Sequence, residues 1–162
     1  MDSPFKGYKL NSDGSSRWNP GRSGIGGVIR DSDGNWIVGY MGNIHISNNI
    51  KAELTTLMQG LQMALARGLL PLEVNIDCKD PISLIDNDHP SYTNMLFDCR
   101  DLLRRLGNPQ ILHTFREANR VADAVAREGS KTSQDNSFLC LEVPPVFVVE
   151  KLEADKGRNS FC

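Results

Sequence analysis

Four acidic residues stand where predicted secondary-structure elements begin or end, and this placement separates them from the other acids of the chain. Asp13 and Asp77 each end a predicted strand, whereas Glu53 and Asp123 lie early in predicted helices. Glu53 also shares the apolar stripe of its helix with Leu57, so its side chain should face inward or along the edge. A carboxylate in such a place is costly unless it is paired or bound to a metal ion. Paired-acid or metal chemistry is therefore open to these residues.

Each of these acids also has a purely structural explanation. Asp13 precedes Gly14 and could belong to a turn, and Asp77 could simply end its strand. Glu53 and Asp123 could be first-turn acids that the helix dipole favours. Spacing alone does not decide whether the four side chains meet, so both explanations stay open at this point.

The composition indicates one globular domain of ordinary size. The chain has 162 residues, of which 40% are hydrophobic and 23% are charged, and this balance excludes a disordered protein. The net charge of −2 argues against a protein that binds polyanions by charge alone. No apolar run reaches the roughly 20 residues of a membrane span, and the N-terminal segment lacks the apolar core of a signal peptide. We therefore predict an intracellular protein of the nucleus or cytoplasm, without a membrane partner, whose four cysteines are free thiols.

Hydrophobic patterns predict an α/β fold. Strands are predicted at five segments: 8–13, 24–30, 36–40, 72–77 and 110–115. Helices are predicted at four segments: 50–67, 81–85, 95–106 and 120–129. Asp33-Gly34 predicts a hairpin between the second and third strands. A hairpin followed by a long helix and a further strand predicts a mixed sheet that helices cover.

The C-terminal part of the chain is predicted to be a linker and an arm, 130–162, that follows a domain at 8–129. The segment from Cys140 to Leu152 is apolar, but Pro144-Pro145 bars it from a central strand. We predict an extended arm in which the residues of Val146–Val149 partly cover a helix surface. The alternative is an exposed motif that binds a partner.

Four motifs, in their order along the chain, resemble those of the type-1 ribonuclease H family. The segment DGSSRWNPG, which begins at Asp13, resembles the family pattern that links the first two strands, and a glycine-rich strand follows it. The segments KAEL, VNIDCKD and REANRVADAVA resemble the motifs that carry the other three acids of the family. The resemblance is greatest to the plant ribonuclease H-like domains, which occur alone or with retroelement reverse transcriptases.

The resemblance implies an RNase H-like fold, with a five-stranded mixed sheet in the order 3-2-1-4-5, an antiparallel second strand and helices on both faces. It maps the catalytic acids, which are also the metal ligands, to Asp13, Glu53, Asp77 and Asp123. It implies two Mg²⁺ ions, which Mn²⁺ can replace, with Asp13 as the bridging ligand. It maps the substrate contacts to Gly14, Ser15, Asn19 and Asn49.

The function that the resemblance implies is hydrolysis of the RNA strand of RNA/DNA hybrids by a monomeric endonuclease. The alternative is a weak or inactive module that binds nucleic acid or protein. Two departures from the family favour this inactive module. Cys78 stands where many relatives have Ser or Thr, and the histidine loop of bacterial enzymes is missing. His113 lies instead in the fifth predicted strand, as an edge or core residue. The retention of all four acids favours the active enzyme. The residues expected to contact phosphates of the duplex are Arg100, Arg104 and Arg105.

Overall fold

The structure is a computed structural model that describes residues 6–16, 21–87, 89–115, 119–131 and 137–159. Its strands are β1 (Tyr8–Ser16), β2 (Gly21–Asp31), β3 (Trp36–Ser47), β4 (Leu72–Ile76), β5 (Ile111–His113) and β6 (Phe138–Leu141). Its helices are α1 (Asn49–Arg67), α2 (Asp80–Asp86), α3 (Thr93–Arg105), α4 (Arg120–Gly129) and α5 (Val146–Asn159). A 3₁₀ turn at Pro90–Tyr92 precedes α3.

The strands form one mixed sheet in the order β5-β4-β1-β2-β3-β6. The pairs β1–β4 and β4–β5 are parallel, and β1–β2, β2–β3 and β3–β6 are antiparallel. The predicted order 3-2-1-4-5 is therefore present, but the predicted number of five strands was wrong. A sixth strand joins the free edge of β3. The sequence does not reveal it because a four-residue strand is too short for a periodic pattern.

Helices cover both faces of the sheet, as predicted. One face packs against α1, with α2 and α3 beside it, and the other packs against α4, which in turn contacts α5. Two neighbouring residues of β2 show the division, since successive side chains of a strand point to opposite faces. Ile29 belongs to the core cluster of Leu57 and Leu61 in α1, whereas Val28 belongs to that of Val125 in α4.

α1 begins one residue before the predicted helix at 50–67 and ends at the predicted residue. Asn48 is its N-cap, because the side-chain oxygen accepts a hydrogen bond from the backbone N–H of Lys51 at 2.8 Å. Gly68 ends the helix in the left-handed conformation, with φ of 64°, which glycine adopts without strain. The inward face of the helix includes Glu53 as well as its apolar residues.

α4 lies very close to the sheet because β2 is rich in glycine. A Cβ atom on Gly26 would lie 2.5 Å from the backbone nitrogen of Ala126. On Gly24 it would lie 1.9 Å from the carbonyl oxygen of the same residue. Both distances are shorter than any van der Waals contact, so only glycine fits at these positions. The close approach brings the helix that carries Asp123 down onto the strands.

The residues after Pro144-Pro145 form helix α5, so the predicted extended arm was wrong in its conformation. Proline fixes φ near the helical value and needs no N–H partner, so it suits the start of a helix. The prediction that this segment docks onto a helix is confirmed, because Val148 is buried in one cluster with Val125 of α4. Leu152, one turn later on the same face, is also buried, whereas Val146 is 91% exposed. The division into 8–129 and 130–162 stays a prediction.

Replacing Val148 by alanine is expected to lower the free energy of unfolding by about 1–3 kcal/mol, because two methyl groups leave a fully buried site. Val146→Ala is the matched control: it makes the same chemical change on the same helix, at an exposed position. Urea denaturation of both variants measures the difference. Equal midpoints for the two variants would show that α5 does not dock.

Two further sequence expectations concern the whole chain. Among the described residues, no helix combines the length and the apolar character that crossing a membrane requires. Cys78, Cys99 and Cys140, the cysteines that the structure describes, are free thiols, as predicted.

Candidate active site

Three of the four predicted acids meet at one edge of the sheet. Asp13 lies in β1, Asp77 directly follows the last residue of β4, and Glu53 extends from α1. One carboxylate oxygen of each lies within 4.8 Å of the other two. β1 and β4 are parallel neighbours, so their C-terminal ends reach the same edge. The three side chains are hereafter called the acidic cluster.

Gly14 allows α1 to approach β1 and brings Glu53 to the cluster. A Cβ atom on Gly14 would lie 3.0 Å from the carbonyl carbon of Ala52. The backbone N–H of Gly14 donates a hydrogen bond to Oε1 of Glu53 at 3.1 Å. That bond fixes the carboxylate beside Asp13. A substrate contact at Gly14 cannot use this N–H without releasing Glu53.

Burial and mutual repulsion raise the pKa of two members of the cluster. Asp13 is 5% exposed and Glu53 is 7% exposed. Loss of water raises the pKa of Asp13 most, and the negative charges of Glu53 and Asp77 raise it further. Burial likewise raises the pKa of Glu53, although the hydrogen bond from Gly14 opposes this effect. The metal-free cluster therefore holds protons that isolated carboxyl groups would release.

One oxygen of the cluster suggests a ligand. Oε2 of Glu53 is buried and has no hydrogen-bond partner among the described residues. Leaving a buried carboxylate oxygen without a partner is costly. Three carboxylates at this spacing are hard oxygen ligands, which Mg²⁺ and Mn²⁺ prefer. The residues therefore fit a divalent cation, whose charge would satisfy this oxygen and offset the repulsion.

Asp123 lies beside the cluster, next to Asp13. Its carboxylate, through its charge and as an acceptor for a proton on Asp13, adds to the raised pKa of Asp13. Asp123 also forms an ion pair with Nε of Arg127 at 3.1 Å. The three mutually close oxygens do not include one from Asp123. Its place in the first turn of α4 agrees with the helix-dipole explanation, whereas Glu53 lies beyond the first turn of α1, so that explanation fails for Glu53.

A chain of side-chain hydrogen bonds holds the start of α4 against β1. Nη2 of Arg30 donates to Oδ1 of Asn11 at 3.0 Å, and Nδ2 of Asn11 donates to Oδ1 of Asn119 at 3.1 Å. Nδ2 of Asn119 then donates to the carbonyl oxygen of Ser12 at 3.1 Å. Asn119 occupies the N-cap position of α4, but its side chain makes no capping bond. It links the two elements that carry Asp13 and Asp123.

Replacing Asn119 by alanine is expected to weaken Mn²⁺ binding by about 10–100-fold, the range found when a residue that orients metal ligands is lost. The change also leaves the buried amide of Asn11 with one partner fewer, so a lower melting temperature is expected. Titration calorimetry with Mn²⁺, well below the melting temperature, separates the two effects. Asn94→Ala, at an exposed position of α3, is the control. Unchanged Mn²⁺ affinity in Asn119→Ala would refute the positioning role.

The predicted substrate contacts are only partly described. Ser15 lies in β1 opposite Gly24, and Asn19 lies outside the described residues. Asn49 is the exposed first residue of α1. The side chain of Asn48 is not exposed in this way, because it caps α1 and hydrogen-bonds to the hydroxyl of Tyr92 at 3.1 Å. Asn49 is therefore a predicted contact whose side chain is accessible.

His113 and Cys78 are neighbours of Asp77. Nε2 of His113 lies 3.2 Å from the backbone carbonyl oxygen of Asp77, and the ring is exposed at the end of β5. The sequence left an edge and a core position open for His113 and did not predict this proximity, which follows from its pairing with Ile76. Cys78 is half-buried, and burial raises the pKa of its thiol to about 11, so it is an inert thiol.

The predicted basic cluster of α3 has partners within the protein. Arg100 donates to the carbonyl oxygens of Ile85 at 3.0 Å and Leu84 at 3.3 Å, near the end of α2. Arg104 and Arg105 both pair with Asp101. Arg100 therefore connects two helices, and Asp101 offsets part of the charge that the other two arginines would offer to phosphates.

Comparison with known protein families places the acids in one matched segment. The family model described as reverse transcriptase-like matches residues 11–129. A protein of Arabidopsis thaliana named for ribonuclease H is 36% identical over 130 residues, which cover 76% of this chain and 21% of that protein. Ribonuclease HI of Halobacterium salinarum is 29% identical over 131 residues, which cover 77% of this chain and 66% of that protein. The chain thus spans about a fifth of the Arabidopsis protein and about two thirds of the archaeal one.

Solved structures resemble the same part of the chain. RNase H1 of Halobacterium salinarum matches with a TM-score of 0.71 and 27% identity, over 75% of this chain and 96% of that chain. LC11-RNase H1 in complex with an RNA/DNA hybrid matches with a TM-score of 0.69 and 25% identity, over 75% of this chain and 94% of that chain. The family match ends at the last residue of α4, so β6 and α5 lie beyond it.

Proposed function

Because the chain belongs to the reverse transcriptase-like family and has an RNase H-like fold, we propose that it cleaves the RNA strand of RNA/DNA hybrids as a metal-dependent endonuclease. The resemblance to ribonuclease H that the sequence motifs indicate is confirmed by these relatives. The observation that carries the proposal is the convergence of Asp13, Glu53 and Asp77, which leaves one buried oxygen without a partner.

The acidic cluster is the proposed metal site, and Asp123 completes a second position beside Asp13. Two Mg²⁺ or Mn²⁺ ions, when bound, would supply an activated water and stabilise the leaving oxygen of the phosphodiester. The protein contributes the spacing of the ligands. The N–H of Gly14 holds Glu53 in place, and Asn119 holds the helix of Asp123 against β1.

Selectivity for RNA is proposed to come from contacts with 2′-hydroxyl groups, which distinguish RNA from DNA. The residues proposed to make these contacts are Gly14, Ser15, Asn19 and Asn49. Binding of a hybrid by the structural relative LC11-RNase H1 supports this substrate class. The net charge of −2 indicates that charge alone does not hold the duplex.

The proposal is tested with a hybrid in which the RNA and DNA strands carry different labels. We expect the RNA strand to be cut at internal positions with Mg²⁺ or Mn²⁺, and neither strand to be cut in EDTA. A DNA duplex of the same sequence should stay intact. A hybrid that remains uncut in both metals would refute the enzyme and favour the binding module.

The monomeric state and the intracellular location stay predictions. Analytical ultracentrifugation at micromolar concentration would test the first, and a sedimentation coefficient that rises with concentration would contradict it.

A further inference from the structure

Asp77 differs from the other members of the acidic cluster in what holds it in place. Glu53 is fixed by the hydrogen bond from the backbone N–H of Gly14 at 3.1 Å, and Asp13 lies within β1, opposite Gly26 of β2. Asp77 follows the last residue of β4 and is the least buried of the three. Among the described residues, no group donates a hydrogen bond to its carboxylate. The place of this carboxylate therefore depends on the backbone that carries it.

The end of β5 holds that backbone. β4 and β5 are parallel, and Ile76 pairs with His113. The carbonyl oxygen of Ile76 accepts a hydrogen bond from the backbone N–H of Thr114 at 2.7 Å. One residue further along, the carbonyl oxygen of Asp77 lies 3.2 Å from Nε2 of His113. The imidazole ring thus extends the contact between the two strands by one residue, beyond the last backbone hydrogen bond.

The chemistry of this contact fixes its direction. A carbonyl oxygen can only accept a hydrogen bond, so Nε2 of His113 carries the proton and donates it. The distance of 3.2 Å lies within the range of such bonds. The ring also makes an edge-on contact with the ring of Phe115, with centroids 6.3 Å apart. The donor is therefore held on its other side as well.

A fixed carbonyl group restricts the side chain of the same residue. The carbonyl carbon and the Cβ atom of Asp77 are bonded to one Cα atom, so a backbone that cannot rotate limits where the carboxylate can lie. In metal sites, groups that orient a ligand without touching the metal affect its affinity strongly. Loss of the bond from His113 would let Asp77 move away from Asp13 and Glu53, whose negative charges repel it.

We propose that His113 is a positioning residue of the metal site, which keeps Asp77 in the acidic cluster through its backbone carbonyl group. The inference rests on the proposed function, because it takes Asp77 as a metal ligand. In this role His113 acts through Asp77 alone.

Three variants test the proposal. His113→Phe keeps a ring that can contact Phe115 but removes the N–H donor. His113→Gln keeps an N–H donor at a similar reach from the backbone. Thr114→Val is the matched control in the next position, because it removes a hydroxyl group that donates to the carbonyl oxygen of Ile76 at 3.4 Å and keeps the backbone N–H.

The first measurement is calorimetric titration with Mn²⁺ in the absence of nucleic acid. His113→Phe is expected to bind Mn²⁺ about tenfold more weakly than wild type, at the lower end of the range for a group that orients a ligand. His113→Gln should recover most of the affinity, and Thr114→Val should match wild type. Melting temperatures in EDTA should be similar for the two His113 variants, because one exposed hydrogen bond contributes little to stability.

The second measurement observes the hydrogen bond itself by NMR in EDTA. The chemical shift of a carbonyl carbon depends on the hydrogen bond that its oxygen accepts. The carbonyl resonance of Asp77 should therefore move in His113→Phe and stay close to its wild-type position in His113→Gln.

Each result supports or overturns the proposal. Weaker Mn²⁺ binding by His113→Phe, with recovery in His113→Gln, supports it. Equal affinities of wild type and His113→Phe would overturn it, as would equal losses in His113→Phe and Thr114→Val or an unmoved Asp77 resonance. A wild-type protein that takes up no Mn²⁺ would overturn both this proposal and the proposed metal site. Neither measurement involves cleavage, so a protein that shows the His113 effect but leaves the hybrid uncut would contradict the proposed function alone.

Discussion

Asp13→Asn is expected to lower the rate of RNA cleavage by about a thousandfold or more and, at the same time, to raise the stability of the metal-free protein. Metal ions contribute several kcal/mol of transition-state stabilisation, and about 1.4 kcal/mol corresponds to a tenfold change in rate. Asp13 is central to that contribution because its carboxylate lies close to Glu53 and Asp77, and the charge of Asp123 also acts on it.

The gain in stability has a separate cause. Asp13 is a buried acid among other negative charges, so its ionised form destabilises the folded protein in the absence of metal. Asparagine is neutral without taking up a proton, so this cost disappears in the variant. Melting temperatures in EDTA should therefore be higher for the variant, while Mn²⁺ should raise the melting temperature of wild type only.

Asp98→Asn is the matched control for this variant, since Asp98 is an exposed acid of α3 outside the cluster. It should leave cleavage and the Mn²⁺ response unchanged. Equal Mn²⁺ responses of wild type and Asp13→Asn would refute the assignment of the cluster as a metal site. Cleavage by Asp13→Asn at the rate of wild type would refute its role in catalysis.

The metal-free protein is expected to lose several kcal/mol of stability as the pH rises from 5 to 8. The pKa values of Asp13 and Glu53 are raised on folding, so in this range the folded state holds more protons than the unfolded state. Stability then falls as pH rises, from near the ordinary carboxyl pKa of about 4 up to the raised values. Each unit by which folding raises a pKa contributes about 1.4 kcal/mol.

Urea denaturation in EDTA at intervals between pH 5 and pH 8 measures this loss. Saturating Mn²⁺ should remove most of it, because the cation replaces the protons. Asp13→Asn should show a shallower dependence in EDTA, since one of the two groups no longer titrates. Stability that stays constant or rises over this range would contradict the raised pKa values.

The parts of the fold that the sequence predicts are those with long local signals. The helix predicted at 50–67 and its inward stripe both follow from residues within one element, and the observed helix differs by one residue at its start. The sequence does not reveal α5, because Pro144-Pro145 argues only against a central strand, and the prolines stand before the first turn of a helix. The strand at Phe138–Leu141 was missed because only its pairing with β3 defines it.

The candidate site is even harder to predict from local sequence signals than the fold. Residue types and spacing leave a structural explanation open for every acid, and only the family resemblance suggests that they meet. The role of Asn119 depends on contacts with β1, more than 100 residues earlier in the chain. Likewise, the sequence does not show that Lys9 and Arg30 lie opposite each other, because this depends on the register of β1 and β2.

The short pairing of β6 with Gly39–Gly42 has a consequence for the physical state of the protein. A chain that ends at residue 129, where the family match ends, would expose that edge of β3, a strand of 12 residues. Open strand edges recruit strands from other molecules, and flat apolar edges lead to fibrils. By pairing with β3, β6 therefore reduces the tendency of this edge to pair with strands of other molecules. We expect light scattering and thioflavin fluorescence to rise on storage of the shortened chain at concentrations where the full chain stays clear.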